Sequence, residues 1–488
     1  MPKALVVGAG MAGLAASIRL ARLGYDVAVY EQQSGPGGKL NVLQLDGYRF
    51  DTGPSLFTLP ELVTELFSLC QEDPAAYFQY RRLDPITRYF WADGTRLTAW
   101  ADPERFAQEC QQVLGAPAAE VRAFLQQAAA KYRLAAPFFL QQSLHRLHSY
   151  TRPTALRALL QLPQLETGRS MGSGIDRRIR HPKLRQLFRR YATYNGSHPE
   201  RAPATLNLIP HLEFNLGAYL PVGGMYAIAQ ALEGLARRQG VHFHYNQPVE
   251  RITVEKQRAT GLQVNGSLLA ADQVVCNLDV FYAYHRLLPD QKPPERTLRQ
   301  ERSSSALIFY WGINRSFSEL DVHNIFFSED YAGEFSALFA DRSLHADPTV
   351  YVHITSKQEP QDAPAGCENW FVMINAPSLA GQDWGKLIPR ARQHILAKLE
   401  RMLGQPVAAR IVAEQVLGPE QIQANTGSYQ GALYGTASNN RFAAFLRHPN
   451  FIHRIRNLYF CGGSVHPGGG VPLSLLSGKI VADLIAKR

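Results

Sequence analysis

Residues 4–31 admit few folds. Ala4-Leu5-Val6-Val7 is an apolar strand, Gly8-Ala9-Gly10-Met11-Ala12-Gly13 is a glycine-spaced turn, and AASIRLARLG follows as a helix with Leu14, Ile18 and Ala21 on one face and Gly24 as its stop. DVAVYE then reads as a second strand ending at Glu31. This is a βαβ start in about 30 residues. Gly8 permits the sharp strand-to-helix turn, Gly10 lets backbone approach a pyrophosphate, and Gly13 lets helix and strand pack closely. Free N–H groups and the dipole at the helix N-terminus favour the phosphates. Glu31 lies 21 residues past Gly10, where a carboxylate holds ribose hydroxyls and disfavours a ribose 2′-phosphate. A dinucleotide therefore fits and NADP does not.

The next segment, SGPGGKLNVLQLDGYRFDTGPSLF, points to FAD rather than NAD. Gly37 and Gly38 followed by Lys39 offer bare backbone and one cation near a pyrophosphate, and Gly53-Pro54-Ser55 is a second tight turn. An ordinary glycine-rich loop is the competing reading. Near the other end, Gly462, Gly463 and Gly468-Gly469-Gly470 precede a short apolar helix of about 15 residues. A helix N-terminus facing a flavin would stabilise the anionic end of the reduced ring.

Between these ends, residues from about 60 to 210 read as mostly helical, broken at Pro74, Pro137, Pro153, Pro163 and Pro182. A strand-rich block runs from about Gly240 to Cys276, with VNG as a hairpin turn. Residues 300–440 mix strands such as SALIFYWGI, VYVHITS and WFVMINA with a helix near 388–403. The five cysteines, Cys70, Cys110, Cys276, Cys367 and Cys461, are far apart and show no CxxC spacing. This disfavours a disulfide framework or a metal site and fits a reducing, cytoplasmic compartment. No leader is expected ahead of the first strand, and no stretch approaches the ~20 apolar residues that span a bilayer.

The net charge of +10 is concentrated. Lys131 to Arg190 holds 13 Lys and Arg against Glu166 and Asp176, so that window carries +11 and the rest is near neutral. Its first half, KYRLAAPFFLQQSLHRLHSYTRPTALRALLQLP, interleaves Phe138, Phe139, Leu140, Leu144 and Leu147 with His145, Arg146 and His148. It reads as an interfacial segment on an anionic membrane. A helix pair packed internally is the alternative, and no nucleic-acid module is present.

GAGMAGLAASIRLARLGYDVAVYEQQSGPGGKL, GYRFDTGPSLFTLP, YNGSHPERAPATLNLIPHLE, YLPVGGMYAIAQAL, GSYQGALYGTASN and NLYFCGGSVHPGGGVPLSLLSGK resemble the bacterial carotenoid desaturase family over nearly the whole chain. FDTGPSLF and HPGGGVP carry most of the specificity. The resemblance implies an α/β fold with a Rossmann-type FAD-binding domain (1–75, 215–285 and 445–488), a mixed-sheet substrate domain (76–105 and 286–444) and a helical membrane-associating lobe (106–214). It implies flavin contacts from Gly8, Gly10, Met11, Ala12, Gly13, Glu31, Gly38 and Lys39, from Gly53, Pro54 and Ser55, from the Val249 backbone at the adenine, and from Gly463, Ser464, Val471 and Pro472 at the ribityl and ring. Amine oxidases usually carry Gly-Asp where this chain has Gly463-Ser464, which weakens an amine oxidase reading. Lys39 stands where phytoene desaturases more often carry Arg. The segment from 192 to 213, with FDTGPSLF and HPGGGVPLSLLSG, is most similar to the hydroxycarotenoid 3,4-desaturase branch.

Such an enzyme removes two hydrogens across a C–C bond, 3,4-desaturation of an acyclic 1-hydroxycarotenoid being the leading expectation. A phytoene or diapophytoene desaturase, a redox-neutral carotenoid isomerase and a non-catalytic flavin-binding membrane protein stand as alternatives. Glu213 and His211 are the acid–base candidates, although the two read equally as a salt-bridged surface pair. Asp279 reads as a turn or cap residue and His466 as part of the flavin-side turn. Tyr219, Tyr429 and Tyr434 are candidate substrate-tunnel walls, with ordinary strand packing as the competing reading. No second dinucleotide fingerprint is present, so oxygen or a membrane quinone is the expected electron acceptor.

Overall fold

The computed structural model describes residues 1–146, 150, 162–440, 442 and 446–487. The first strand, Lys3–Val7, runs parallel to Asp26–Tyr30 on one side and to Gln273–Cys276 on the other. Ile455–Phe460 pairs parallel with Gln273–Cys276, and His242–His244 with Asp26–Tyr30. The hairpin Val249–Glu255 with Arg258–Val264 completes the far edge of this nine-stranded sheet. A parallel sheet needs cover on both faces, and alternation along the strands supplies it. Ala4, Val6, Val27, Val29 and Tyr459 pack under the helices Met11–Arg22, Ala227–Arg238 and Val471–Ala486. Leu5, Val7, Val274 and Phe460 pack the other way, against Val280, Tyr284 and Leu287. The first and last helices nearly touch: a Cβ at Gly478 would lie 2.7 Å from the Ala12 carbonyl oxygen.

The second sheet has seven strands in the order Ile411–Leu417, Ser305–Ile313, Glu368–Ala376, Val350–Ile354, His323–Phe326, Thr87–Phe90 and Arg96–Ala99. All neighbours are antiparallel except His323–Phe326 with Thr87–Phe90. Phe309, Trp311 and Trp370 pack on one face against the helix Trp384–Leu403. Tyr310 and Phe371 on the other face meet Tyr48 and Phe50, from the hairpin Val42–Leu45 with Tyr48–Asp51. The Tyr310 hydroxyl donates to the Thr52 carbonyl at 3.0 Å, so this sheet faces the second glycine turn.

The 60–210 region is less helical than its sequence suggested. Tyr80–Arg82, Thr87–Phe90 and Arg96–Ala99 are strands. RLTA alternates between exposed and buried, and TRYF does so from Thr87 to Tyr89, on the two sides of the turn at Trp91–Gly94, a period-2 signal hidden between helical stretches. Pro182 opens a helix at its first turn rather than breaking one. The helices Pro103–Leu114, Ala118–Ala135 and Pro182–Arg189 form the third layer, around Phe106, Phe124, Leu187 and Phe188.

The basic window differs from its expectation in two ways. Phe138 and Leu144 are buried in a small cluster with Leu134, Phe139 and Tyr150 rather than turned outward. Lys131, Arg178, Arg180, Lys183, Arg185, Arg189 and Arg190 all have acidic partners, several from outside the window such as Asp93, Glu120 and Glu200. Leu147, His148 and Pro153 lie outside the described residues. Among the described residues no helix is long and apolar enough to cross a membrane, and no group of His, Cys, Asp or Glu could hold a metal.

Candidate functional site

The amino-terminal glycine turn sits where three strand ends converge. Gly13 packs so tightly that a Cβ would lie 2.1 Å from the Gly8 carbonyl oxygen. The helix it opens has no side-chain cap and no acid in its first turn, so its leading N–H groups are left for an external acceptor. Gly37 donates its N–H to the Ala9 carbonyl at 2.9 Å, bringing Gly38 and Lys39 alongside. Glu31 is buried at the end of the second strand. Its Oε2 accepts the Ala9 N–H at 2.7 Å and its Oε1 the Gln33 N–H at 2.9 Å, which fixes the carboxylate beside the turn with lone pairs to spare. The Gln247 N–H donates to the Glu31 carbonyl at 2.9 Å, placing the Val249 strand next to it.

The carboxy-terminal turn closes on the same place. The helix Val471–Ala486 also begins without a side-chain cap, at Gly470, with Pro472 in its first turn. Cys461 donates its N–H to the Cys276 carbonyl at 3.0 Å, and Ser464 Oγ accepts the Val280 N–H at 2.9 Å. Asn277 joins the two ends: its side chain lies under Gly8, Gly10 and Gly13 and also under Gly462. Asn450 does similar work behind the turn, its Nδ2 donating to the carbonyls of Phe460 and His466 and to Ser477 Oγ. Neither asparagine stood out in the sequence, because each acts through strand ends distant from it. Two uncapped helix N-termini, one buried carboxylate and glycines at the closest approaches form a cradle that fits an anionic dinucleotide.

Lys39 is engaged by backbone. Its Nζ donates to the carbonyls of Leu433 at 2.7 Å and Ala432 at 3.4 Å. Burial pulls its pKa down to about 8, with Asp279 opposing. Asp279 itself caps the short helix Val280–Tyr282 through the Phe281 N–H, the cap its sequence suggested. His466 is buried, its pKa lowered by burial to about 3, and its Nε2 meets the Gln142 carbonyl at 2.9 Å. The two tyrosines of SYQGALYG part company. Tyr434 packs on Gly469, whose Cβ would lie 2.7 Å from Tyr434 Cα, and burial raises its pKa to about 12. Tyr429 stacks on Phe281 at 3.4 Å between ring centres and lines a separate, outward cleft.

His211 and Glu213, the acid–base candidates, do not form the surface salt bridge that was their competing reading: both are buried and they have different partners. His211 is buried, stacks on Tyr132 at 5.0 Å, and bonds Asn215 Nδ2 through Nδ1 at 2.8 Å. Glu213, only 1% exposed, faces a different set. Its Oε2 accepts the Tyr191 hydroxyl at 2.5 Å, its Oε1 accepts the Tyr194 hydroxyl, and Arg190 Nη2 stands 3.7 Å away. Burial raises the Glu213 pKa against the opposing pull of Arg190 and Tyr191. Tyr219 packs edge-on against Tyr80 at 5.3 Å and takes the Phe57 carbonyl through its N–H at 2.9 Å, beside the second glycine turn. From that turn Ser55 Oγ accepts the Tyr351 hydroxyl at 2.9 Å, and Tyr351 in turn meets His323 Nδ1 at 2.7 Å. Arg190, Glu213 and Tyr434 all act electrostatically on Tyr351. Tyr194, Tyr351, Tyr434 and Ser55 are half-buried. A cleft of about 730 Å3 opens outward beyond Phe327, between Trp91, Tyr331 and Phe335.

Comparison with known proteins bears on this arrangement. Residues 11–486 match the family model described as flavin containing amine oxidoreductase. The chain is 51% identical over 485 residues, 99% of each chain, to a 1-hydroxycarotenoid 3,4-desaturase of Flavobacterium sp. (strain P99-3). It is 34% identical to a 4,4'-diapolycopene oxygenase of Methylomonas sp, over 99% of this chain and 98% of the relative. It is 33% identical to a zeta-carotene-forming phytoene desaturase of Myxococcus xanthus, over 98% and 93%. Among solved structures, putrescine oxidase bound to putrescine superposes with a TM-score of 0.63 at 15% identity, covering 100% of this chain and 99% of that one. That likeness concerns the fold alone.

Proposed function

We propose that this chain, which belongs to the flavin-containing amine oxidoreductase family, is an FAD-dependent carotenoid desaturase that forms the C3–C4 double bond of an acyclic 1-hydroxycarotenoid. The observation that carries the reading is the 51% identity to a 1-hydroxycarotenoid 3,4-desaturase, sustained over 99% of both chains.

FAD bound in the cradle supplies the two-electron acceptor for the abstracted hydrogen. Gly8, Gly10, Gly38 and the first turn of Met11–Arg22, with Met11, Ala12 and Gly13, hold its pyrophosphate. Glu31 holds the ribose and the Val249 backbone the adenine. Gly463, Ser464, Val471 and Pro472 would line the ribityl and ring side, and Gly53, Pro54 and Ser55 would add further contacts. Lys39 fastens the 432–434 segment over the cradle and so fixes Tyr434 at its edge. An extended polyene delocalises developing positive charge along its own double bonds, so holding the bond in register accounts for much of the rate. The polyene dissolves in lipid, so the enzyme collects it at a membrane surface, and reduced cofactor is reoxidised by oxygen or a quinone.

The test uses FAD-loaded protein with liposomes carrying a 1-hydroxycarotenoid. Desaturation gives a red-shifted polyene spectrum and a product lighter by two hydrogens. A change in the cis band at constant mass would instead identify an isomerase, and conversion of phytoene alone would identify a phytoene desaturase. Bound flavin with every polyene unchanged would reduce the chain to a flavin-binding membrane protein.

A further inference from the structure

We propose that Glu213, Tyr194 and Arg190 form the subsite that receives the terminal hydroxyl of the substrate and so select which polyene end reaches the cofactor. This rests on the desaturase reading above.

An acyclic 1-hydroxycarotenoid is hydrocarbon except for one oxygen. A purely apolar channel scarcely distinguishes it from the same polyene without the hydroxyl, whereas a site with buried polar groups built to bond that oxygen rejects the analogue strongly. The cluster around Glu213 is one such group. The Tyr194 hydroxyl donates to Glu213 and accepts from Arg190 Nη1 at 3.2 Å. Arg190 Nη2 donates to the Tyr89 hydroxyl at 3.0 Å, and the guanidinium lies over the rings of Tyr191, Tyr194 and Tyr89 at 4.6, 5.2 and 5.5 Å. Arg190 is 8% exposed, yet its Nε has no acceptor. Burying a carboxylate and a guanidinium is expensive unless both are well partnered, and a buried donor left without a partner adds to that cost. A substrate oxygen has lone pairs for such a donor and a proton for the carboxylate.

The position also fits. Tyr194 is the member of this cluster that keeps accessible surface, and Tyr351 is likewise half-buried. Tyr351 feels both Arg190 and Glu213 and is bonded to Ser55 in the turn on the cofactor side. In the substrate the hydroxyl-bearing carbon is two bonds from the bond to be oxidised, so its binding group must sit close to the cofactor. On the outer side, Tyr89 stacks on Phe327 at 5.8 Å, and Phe327 forms the inner wall of the outward cleft.

The experiment compares FAD-loaded wild type, Glu213→Gln and Tyr194→Phe on liposomes carrying the 1-hydroxycarotenoid or the same polyene without the hydroxyl. The readout is the ratio of kcat/KM values, with flavin content followed by absorbance. The wild type should prefer the hydroxylated polyene by roughly tenfold or more. In the variants the ratio should fall to within about threefold of unity. Tyr194→Phe removes a single hydroxyl, so it keeps the test open if Glu213→Gln does not fold. A wild type that oxidises both polyenes equally, or a preference that survives Tyr194→Phe with flavin retained, overturns the proposal and leaves the desaturase reading standing. A wild type that oxidises neither ends both.

Discussion

The two sheets of this molecule build their halves of the site from different materials. The parallel sheet uses backbone: glycines at close approaches, uncapped helix ends and strand termini brought together, with Glu31 as the chief side chain. The mixed sheet and the helical layer use side chains: Tyr89, Arg190, Tyr194, Glu213, His323 and Tyr351, drawn from five separate stretches. A backbone cradle binds what all flavoproteins share, and it fails by steric clash. A side-chain wall reads one particular substrate, and it fails group by group.

Acid is expected to erase the contrast and to give the largest effect. His353 and His448 are held neutral by burial, their pKa values lowered to about 4, His466 to about 3, and His323 well below its usual value. His323 and His353 belong to the mixed sheet, and His448 and His466 to the nucleotide half. In the unfolded chain each protonates near 6.5. As pH falls from there towards 4 the unfolded state binds more protons, and each group lowers stability by up to roughly 1.4 kcal/mol per pH unit. Urea unfolding followed across this window should show both halves weakening together. A flat profile above pH 4.5 would show that the histidines do not set acid stability.

Next in size is Gly13→Val. A side chain cannot enter a space where Cβ already lies 2.1 Å from the Gly8 carbonyl oxygen, so the turn must open at a cost of about 3 kcal/mol. Flavin content by absorbance should drop to background. Retention of FAD would break the claim that backbone approach defines this half. Tyr351→Phe should act differently. It unpairs His323 Nδ1 and Ser55 Oγ, costs about 2 kcal/mol, and slows turnover while flavin stays bound. Loss of flavin in that variant would tie the two halves more closely than described. Smallest is Arg201→Ala. Its pair with Glu301, at 2.7 Å, is half-exposed, and thermal unfolding should register under about 1 kcal/mol.

The same contrast explains what could be read in the sequence. Gly8, Gly10, Gly13 and Glu31 announce themselves because a fixed backbone geometry forces fixed residue types at fixed spacing. The C-terminal helix and the hairpin at VNG were legible for the same reason. The strands at 80–99 were not, because four-residue alternations carry little signal beside long helical stretches. Glu213 attracted notice, but its partners did not. Arg190, Tyr191 and Tyr194 lie about twenty residues away in a basic run that reads as surface charge. The fold buries Lys131 and Arg190 from that run and pairs most of its other described cations with acids, several of them distant in sequence. Lys39 was placed by its neighbours in the glycine segment, yet its bonds go to residues almost four hundred positions later, which no local pattern encodes.

The strand Ile455–Phe460 lies directly beside Gln273–Cys276, which alone separates it from the first strand of the chain. During synthesis the nucleotide sheet therefore waits with an open flank until nearly the whole polypeptide has left the ribosome, whereas the seven-stranded sheet already has all its members by Leu417. Cofactor capture becomes a late checkpoint: a nascent chain stalled or clipped before residue 455 would carry a complete seven-stranded sheet beside an unfinished cradle.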